Sequence, residues 1–243
     1  MHRFAITALT ALVTSAALFG CDTQNQVFNH TTQGTVPITE VVVSVDLGTV
    51  QVTSSETTQV KSAAVARWVG DKPEVEFVQE GTKLMISASC AESNEFCDIS
   101  LAFDMPTDAK LTIEGSTTEV TVASLRGPAT IDLNEGDISL EQISGTLDVA
   151  THKGSISATG LNAARATMLA WSGKIDAEFK APIVNVHAET GYGDIHLKVP
   201  DMAYDVAAKT NEGNIDVDVK QASDGRRLIT ALATESGNIS IGH

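Results

Sequence analysis

Gly136-Asp137-Ile138-Ser139-Leu140 is the first of six copies of a glycine-initiated motif in the second half of the chain. The glycines of successive copies are 18, 19, 20, 20 and 24 residues apart, and isoleucine follows each glycine by two positions. The other copies are Gly154-Ser155-Ile156-Ser157-Ala158, Gly173-Lys174-Ile175-Asp176-Ala177, Gly193-Asp194-Ile195-His196-Leu197, Gly213-Asn214-Ile215-Asp216-Val217 and Gly237-Asn238-Ile239-Ser240-Ile241. A near-constant period of this length, with β-type residues in each unit, is typical of a solenoid.

Each repeat unit reads as two short strands that meet at the glycine. Apolar residues occupy alternate positions on both sides of the glycine, which is the pattern of a strand with one buried face. One unit cannot bury that face alone, but stacked units can place each isoleucine on the next at a strand spacing of about 4.8 Å. We therefore predict an all-β chain that folds as a right-handed parallel β-solenoid with rungs of about 20 residues. A sandwich of hairpins is the alternative.

The first half of the chain carries weaker versions of the same pattern. Leu111-Thr112-Ile113 with Val120-Thr121-Val122 resembles one rung, and the segment from Val43 to Val52 resembles an earlier one. Between them, residues 74–78 and 83–87 predict an N-terminal antiparallel hairpin that turns at Glu80-Gly81. The sequence leaves open whether this half continues the solenoid or forms a separate antiparallel cap.

The N-terminus has the pattern of a secretion signal. A weakly basic start precedes an apolar run that is too short for a membrane span, and Leu18-Phe19-Gly20-Cys21 resembles the bacterial lipobox. That resemblance implies that Cys21 is lipidated. We predict a lipoprotein-type signal peptide at 1–20, a flexible tether rich in Gln, Asn and Thr at 21–35, and the solenoid domain at 36–243. An ordinary signal peptide followed by a coincidental cysteine is the alternative.

These N-terminal features predict a location in the bacterial cell envelope, as a membrane-anchored lipoprotein facing the periplasm or the cell surface. Asp22 resembles the signal that retains enteric lipoproteins in the inner membrane, but this rule varies among bacteria, so both membranes stay open. The sequence ends at Gly242-His243, directly after the sixth motif copy, and we expect the lipid to be the only anchor.

The chain is strongly acidic, with 16 basic and 31 acidic side chains and a formal net charge of −15. Removal of residues 1–20 would delete Arg3 and no acidic residue, so the mature charge would be 15 minus 31, or −16. This charge argues against nucleic acid as a partner and against electrostatic binding to anionic lipid. The charge is compatible with basic partners or divalent cations. Solubility alone would also explain it.

Cys90 and Cys97 are the two cysteines within the predicted domain. Outside the cytoplasm, a pair with this spacing at a loop predicts a disulfide. Free thiols are the alternative, and the pair cannot by itself supply the four ligands that structural zinc requires.

Stacking of adjacent repeats creates two neighbouring charged columns that could together be a site. It would place His196 between the carboxylates of Asp176 and Asp216, and Lys198 between those of Glu178 and Asp218. An acid–base or metal site is one interpretation. The other is an exposed ladder in which opposite charges alternate to avoid repulsion between neighbouring strands.

Two aromatic side chains precede successive turn glycines. Trp171 and Tyr192 could form a small exposed patch on which sugars stack, or they could pack against the neighbouring turn. The sequence contains no nucleophile elbow, zinc-protease motif, phosphate loop or dinucleotide fingerprint. We predict no catalytic residue, no metal and no cofactor.

The order of these units resembles the bacterial putative-adhesin domain family of β-solenoids, similar to the GIN or head domain of putative autotransporter adhesins. The resemblance extends over about 36–243 and includes the early valine-rich unit, the hairpin, the strand that ends at Met105-Pro106 and the six glycine motifs. It implies an adhesin-like β-solenoid, and the family offers no catalytic motif to carry over.

We therefore predict a non-catalytic envelope lipoprotein that acts as a binding, adhesion or structural module, with an envelope polymer or a protein as its ligand. A carbohydrate-active β-helix enzyme is one alternative, with Asp176, Glu178, Asp216 and Asp218 as its available acids. A self-assembling scaffold is another, because the exposed final rung Asn238–Ile241 could pair edge to edge with a second copy. The oligomeric state stays open.

Overall fold

The computed structural model describes residues 23–32 and 36–243, and the predicted signal peptide and Cys21 lie outside these ranges. Within them the chain forms β-strands and no helix. The strands of the N-terminal half are β1 (Gln24–Thr31), β2 (Glu40–Ser55), β3 (Lys61–Val69), β4 (Glu74–Glu80), β5 (Lys83–Ser89), β6 (Phe96–Pro106) and β7 (Lys110–Ala123). Those of the repeats are β8 (Ala129–Glu135), β9 (Ile138–Glu141), β10 (Leu147–Lys153), β11 (Ile156–Leu161), β12 (Arg165–Ser172), β13 (Ile175–Phe179), β14 (Asn185–Tyr192), β15 (Ile195–Lys198), β16 (Ala203–Thr210), β17 (Ile215–Val217), β18 (Lys220–Gln221), β19 (Leu228–Ser236) and β20 (Ile239–Gly242).

Each repeat contributes one strand to each of two walls, and the turn glycine joins them. Strands of neighbouring repeats pair in parallel and in register, as Val149 does with Ile131 and Met168. The prediction of a parallel β-solenoid is therefore confirmed, and the sandwich alternative is wrong.

We call the two stacks wall one and wall two. Wall one consists, in spatial order, of β4, β5, the first half of β2, the first half of β7, β8, β10, β12, β14, β19 and β16, to which the short β18 is added. Wall two consists of β1, β3, β6, the second half of β2, the second half of β7, β9, β11, β13, β15, β20 and β17.

The core lies between the walls, where the alternating apolar residues stack in columns. The motif isoleucines Ile138, Ile156, Ile175, Ile195 and Ile239 are all buried at 1% exposure or less. Because each side chain contacts its equivalent on the rungs above and below, the burial that no single repeat could achieve becomes continuous along the stack.

Threonines in the core columns keep their hydroxyl groups satisfied. Thr151 donates to the carbonyl oxygen of Gly136 at 2.9 Å, and Thr190 donates to that of Gly173 at 3.0 Å. Both side chains are buried, so each of these bonds also satisfies a turn carbonyl of the preceding rung.

The last repeat does not stack at the end of the solenoid. β19 pairs with β14 on one side and β16 on the other, and β20 lies between β15 and β17. The sixth rung is therefore inserted between the fourth and the fifth. Residues 218–227 make this possible by returning the chain past the fifth rung, which accounts for the longer interval of 24 residues.

This insertion corrects the position of the exposed edge. The predicted edge at Asn238–Ile241 is wrong, because β20 is paired on both sides. The end of the stack is formed by β17 in wall two, where Ile215 is 45% exposed, and by β16 with the two-residue β18 in wall one.

At the other end the sheets close with antiparallel strands. β4 and β5 form the predicted hairpin around Gly81, while β3 pairs antiparallel with β6. β2 and β7, however, already have the two-wall geometry of a rung, pairing in parallel from Glu40 with Lys110 to Thr53 with Ala123. The first half therefore both continues the solenoid and caps it.

The predicted flexible tether at 21–35 is wrong for residues 24–31, which form β1. This strand pairs antiparallel with β3 through all eight of its residues. It has no apolar alternation because it is an edge strand with few buried side chains, held mainly by backbone pairing. Its Gln- and Asn-rich composition therefore resembled a linker.

A disulfide joins Cys90 and Cys97, the pairing that their spacing predicted. The two flanking strands do not pair with each other, because β5 and β6 both run parallel to β2 and lie in different walls. The disulfide therefore closes the loop where the chain crosses from one wall to the other.

The described residues include no apolar helix long enough to cross a bilayer.

Candidate ligand-binding groove

The charged column predicted around His196 is not formed as the sequence suggested. Asp176 is the register partner of His196 on one side, but Ser240 occupies the other side. Asp216 pairs with Ser240 and is therefore two strands away from His196. The inserted sixth rung separates these groups, so the imidazole does not lie between two carboxylates.

The second predicted column changes in the same way. Lys198 has Glu178 as one register partner and Gly242 as the other, so Asp218 is not its neighbour. Lys180 donates to Glu178 at 2.6 Å, and this bond, with a weaker contribution from Lys198, holds the pKa of the Glu178 carboxyl below its usual value. This is the charge pairing of an exposed ladder. Within the described residues, no group of three or more His, Cys, Asp or Glu side chains is arranged to hold a metal ion.

The two aromatic residues singled out from the sequence do come together. Trp171 on β12 and Tyr192 at the end of β14 are half exposed, with ring centroids 6.3 Å apart and planes at 83°. The ring of His152 on β10 lies parallel to the indole, at 6.1 Å between centroids and 4° between planes. Adjacent strands thus place three rings in a row on the outer face of wall one.

A glycine supports this row of rings. Gly191 lies next to Trp171 on the neighbouring strand, and a Cβ there would be 3.2 Å from indole atoms and 2.6 Å from the Trp171 carbonyl oxygen. Glycine therefore allows the indole to lie close against the backbone of the next rung. The outer side of the Trp171 side chain stays open to solvent, since this residue is 50% exposed.

The row of rings borders a groove of about 760 Å³ on the outer face of wall one. The groove crosses β2, β7, β8, β10, β12 and β14, which are consecutive in wall one, and at the strand spacing it is about 24 Å long. Its volume lies in the range of ligand-binding clefts, which is about 300–1,000 Å³. It is long and shallow, a shape suited to an extended ligand.

The charges in the groove are of one sign. Asp46, Glu114, Asp132 and Glu189 line it, and no Lys or Arg is among the described residues that do. Glu114 and Asp132 are direct register partners on β7 and β8, so two carboxylates face each other across neighbouring strands. Such a pair is destabilising. Neither carboxylate has an ion-pair or hydrogen-bond partner among the described side chains, whereas nearby Glu135 is paired with Lys153.

The sequence carried a signal for this groove that was not used. Glu114 and Asp132 are 18 residues apart, the same offset that relates Val120 to Ile138. His152 and Trp171 are 19 apart, as are Gly154 and Gly173. Extending the repeat register to the outward positions would have brought both pairs together.

Comparison of this chain with known proteins finds similar solved structures. The chain is similar to solved structures described as a putative cell adhesion protein from Clostridium sporogenes (13% identity, 91% of this chain and 99% of that chain covered, TM-score 0.37) and a putative adhesin from Bacteroides fragilis (14%, 89% and 97%, TM-score 0.44). A putative adhesin from Parabacteroides distasonis is also similar (11%, 90% and 97%, TM-score 0.29). No curated protein matches the chain.

The family itself is given by a match in the repeat region. The Toastrack DUF4097 model matches residues 98–242, which is more than half of the chain. The matched segment begins in β6 and includes every glycine motif, so it covers the repeat part of the solenoid, whereas β2 precedes it. The resemblance to a family of adhesin-like β-solenoids is thereby confirmed, and the chain belongs to the Toastrack DUF4097 family.

Proposed function

We propose that this protein is a non-catalytic binding module of the bacterial cell envelope, and that the groove on wall one holds an extended envelope ligand. The observation that carries the proposal is the groove itself, in which open aromatic rings and unpaired carboxylates share one surface about 24 Å long. Glu114 and Asp132 destabilise each other there without an internal counter-charge, and a bound ligand would provide one.

Two features support the envelope as the location. The disulfide between Cys90 and Cys97 suits an oxidising compartment outside the cytoplasm. The N-terminal pattern supports a lipid on Cys21, and β1 starts at Gln24, so only Asp22 and Thr23 would separate the lipid from the folded domain. A span of three residues reaches roughly 10 Å, so a lipidated protein would hold its antiparallel end close to the bilayer.

The anchor is tested with a Cys21→Ser variant. We expect the wild-type protein in the membrane fraction of cells and the variant in the soluble fraction, because a single serine hydroxyl cannot carry the acyl chains that give lasting attachment. The matched control is the double variant Cys90→Ser/Cys97→Ser, which should stay with the membrane. Membrane attachment of Cys21→Ser would show that another element anchors the chain.

The arrangement of acids supports binding over glycan hydrolysis. Of the acids offered for an enzyme, Asp176 and Glu178 lie on wall two, away from the groove, and Asp216 lies at the end of the stack. Hydrolysis needs two carboxyl groups that flank one bond, with one of them held protonated. Glu114 and Asp132 are adjacent on one surface and therefore lie on the same side of any ligand in the groove.

The groove is tested by co-sedimentation of the full-length protein with detergent-extracted cell envelopes, from which the bilayer has been removed. We expect the wild-type protein to pellet and Trp171→Ala to lose about tenfold or more in affinity, since aromatic side chains often supply much of the binding energy of such surfaces. Phe96→Ala is the matched control, because Phe96 is 47% exposed but lies on β6 of wall two. Equal binding by all three proteins would exclude the groove, and release of soluble fragments from the envelopes would reverse the non-catalytic assignment.

A further inference from the structure

The chemistry of the groove restricts the kind of ligand that it can accept. Its charged side chains only accept hydrogen bonds when ionised, and they are Asp46, Glu114, Asp132 and Glu189. Its neutral side chains Ser44, Ser116 and Asn134 can both donate and accept. Glu189 already accepts from His187 at 3.1 Å when that ring nitrogen carries the proton. The other three carboxylates lack a partner among the described residues. A ligand that complements these carboxylates is therefore positively charged and carries donors.

An extended peptide fits this lining poorly. A peptide brings one backbone acceptor for each backbone donor, and its carbonyl groups would face carboxylates. It also has no strand to pair with, because each strand beneath the groove from β7 to β12 is already paired on both sides. Strand addition, the usual way in which a sheet binds an extended peptide, requires a free edge.

A sugar polymer fits it better. Each hydroxyl group can donate to a carboxylate, and the flat apolar side of a pyranose ring can lie against the exposed half of the Trp171 side chain. The ring of His152 on β10 stacks parallel to that indole at 6.1 Å between centroids, so a second aromatic ring borders the same part of the groove. An anionic polysaccharide would be repelled by the carboxylates, whereas a polysaccharide with free amino groups would be attracted by them and by the electron-rich face of the indole.

We propose that the groove binds a polysaccharide that carries unsubstituted amino groups, with a sugar ring on Trp171 and ammonium groups at Glu114 and Asp132. This inference rests on the proposed function and names its ligand class. Ala150 and Leu169 lie between the carboxylate pair and Glu189 in the same column of wall one, and they leave an apolar floor beside the indole. Along this column the groove thus presents two carboxylates, then two apolar side chains, then Glu189. An amino sugar polymer offers both amines and apolar ring faces to such a surface.

The test uses the intrinsic fluorescence of the full-length protein. The chain has two tryptophans, and Trp68 is only 4% exposed, so a change on ligand addition reports on Trp171. The probe is a fully deacetylated glucosamine oligomer, titrated at a pH at which its amines are protonated. We expect saturable binding, at least about tenfold tighter than for the N-acetylated oligomer of equal length, and weakening with added salt.

Two variants test whether the charges of Glu114 and Asp132 bind the amines of the oligomer. Glu114→Gln/Asp132→Asn keeps the shapes of both side chains but removes both charges, and we expect about a tenfold loss of affinity for the amine-bearing oligomer. Asp176→Asn removes an exposed charge from wall two and should bind as the wild type does. Equal affinity for the two oligomers, or an unaffected double variant, would overturn the ligand assignment, as would tighter binding of an oligolysine of the same charge.

The two proposals can fail separately. If Trp171→Ala abolishes envelope binding but the glucosamine oligomer does not bind, the groove is functional and the ligand class is wrong. If the oligomer binds at the groove but envelope binding does not depend on Trp171, the ligand assignment stands and the proposed function fails.

Discussion

Replacement of Ile239 by alanine should lower the free energy of unfolding by about 2–5 kcal/mol, the range for removal of a buried isoleucine side chain. Ile239 follows the last turn glycine of the sequence, and in chain order it would lie on the terminal rung. In the structure it is 1% exposed and packs between Ile195 on β15 and Ile215 on β17. Its loss would leave a cavity with a neighbouring rung on both sides.

Ile215→Ala is the matched control for this prediction. Ile215 occupies the same position of its repeat, two residues after Gly213, but it is 45% exposed on the end strand. We expect a cost below about 1 kcal/mol, because much of the side chain is already in water. Urea unfolding of both variants measures the difference. A larger cost for Ile215→Ala than for Ile239→Ala would mean that the rungs stack in chain order and that the inserted rung is wrong.

The rung and its periodicity could be predicted from the sequence, but the order of the last two rungs could not. The fifth and sixth motifs have isoleucine at the same position and an aliphatic residue two positions later, so either could fill the same place in the stack. The one sign of the inserted rung in the sequence is the interval of 24 residues between the last two motif glycines. This interval is long enough for the chain to run back past β17, but it does not require that path. The contacts that decide between the two orders are non-local.

The same limit explains the other differences between expectation and structure. β1 was missed because pairing of its backbone with β3 stabilises it, and backbone pairing leaves no pattern in side chains. The site predicted at His196 depended entirely on rung order, and the inserted rung removed it. Trp171 and Tyr192 were found because their rungs, β12 and β14, do follow one another in space.

Most of the acidic groove, from β7 to β14, lies where chain order and spatial order agree. From β7 to β14, each wall-one strand pairs with the strand of the next repeat, so the outward columns can be read directly from the sequence. The core columns are under constraint from packing, whereas the outward columns are free to vary. Placement of uncompensated carboxylates and open rings on that free surface is therefore a stronger indication of function than any core position.

Substitution of Gly136 by alanine should cost about 3 kcal/mol or more of unfolding free energy, the second large effect that we expect. Gly136 has a φ of 138°, a conformation that costs a residue with a side chain roughly 1–3 kcal/mol. A Cβ at this position would also overlap the carbonyl oxygen of Thr118 on the rung below. Backbone atoms cannot move aside as a flexible side chain can, so the two rungs would have to separate locally.

Gly81→Ala separates the two contributions to that cost. Gly81 has a φ of 60° in the β4–β5 turn, and a Cβ there would have no heavy atom within 4 Å. We expect only the conformational cost, about 1–2 kcal/mol. Chemical denaturation of the two variants gives the comparison, and equal costs would mean that the rungs have room for a methyl group at the turn. The same overlap would occur between Gly237 and Gly193 and between Gly213 and Gly237, so the turn glycines, like the isoleucines, place the sixth rung between the fourth and the fifth.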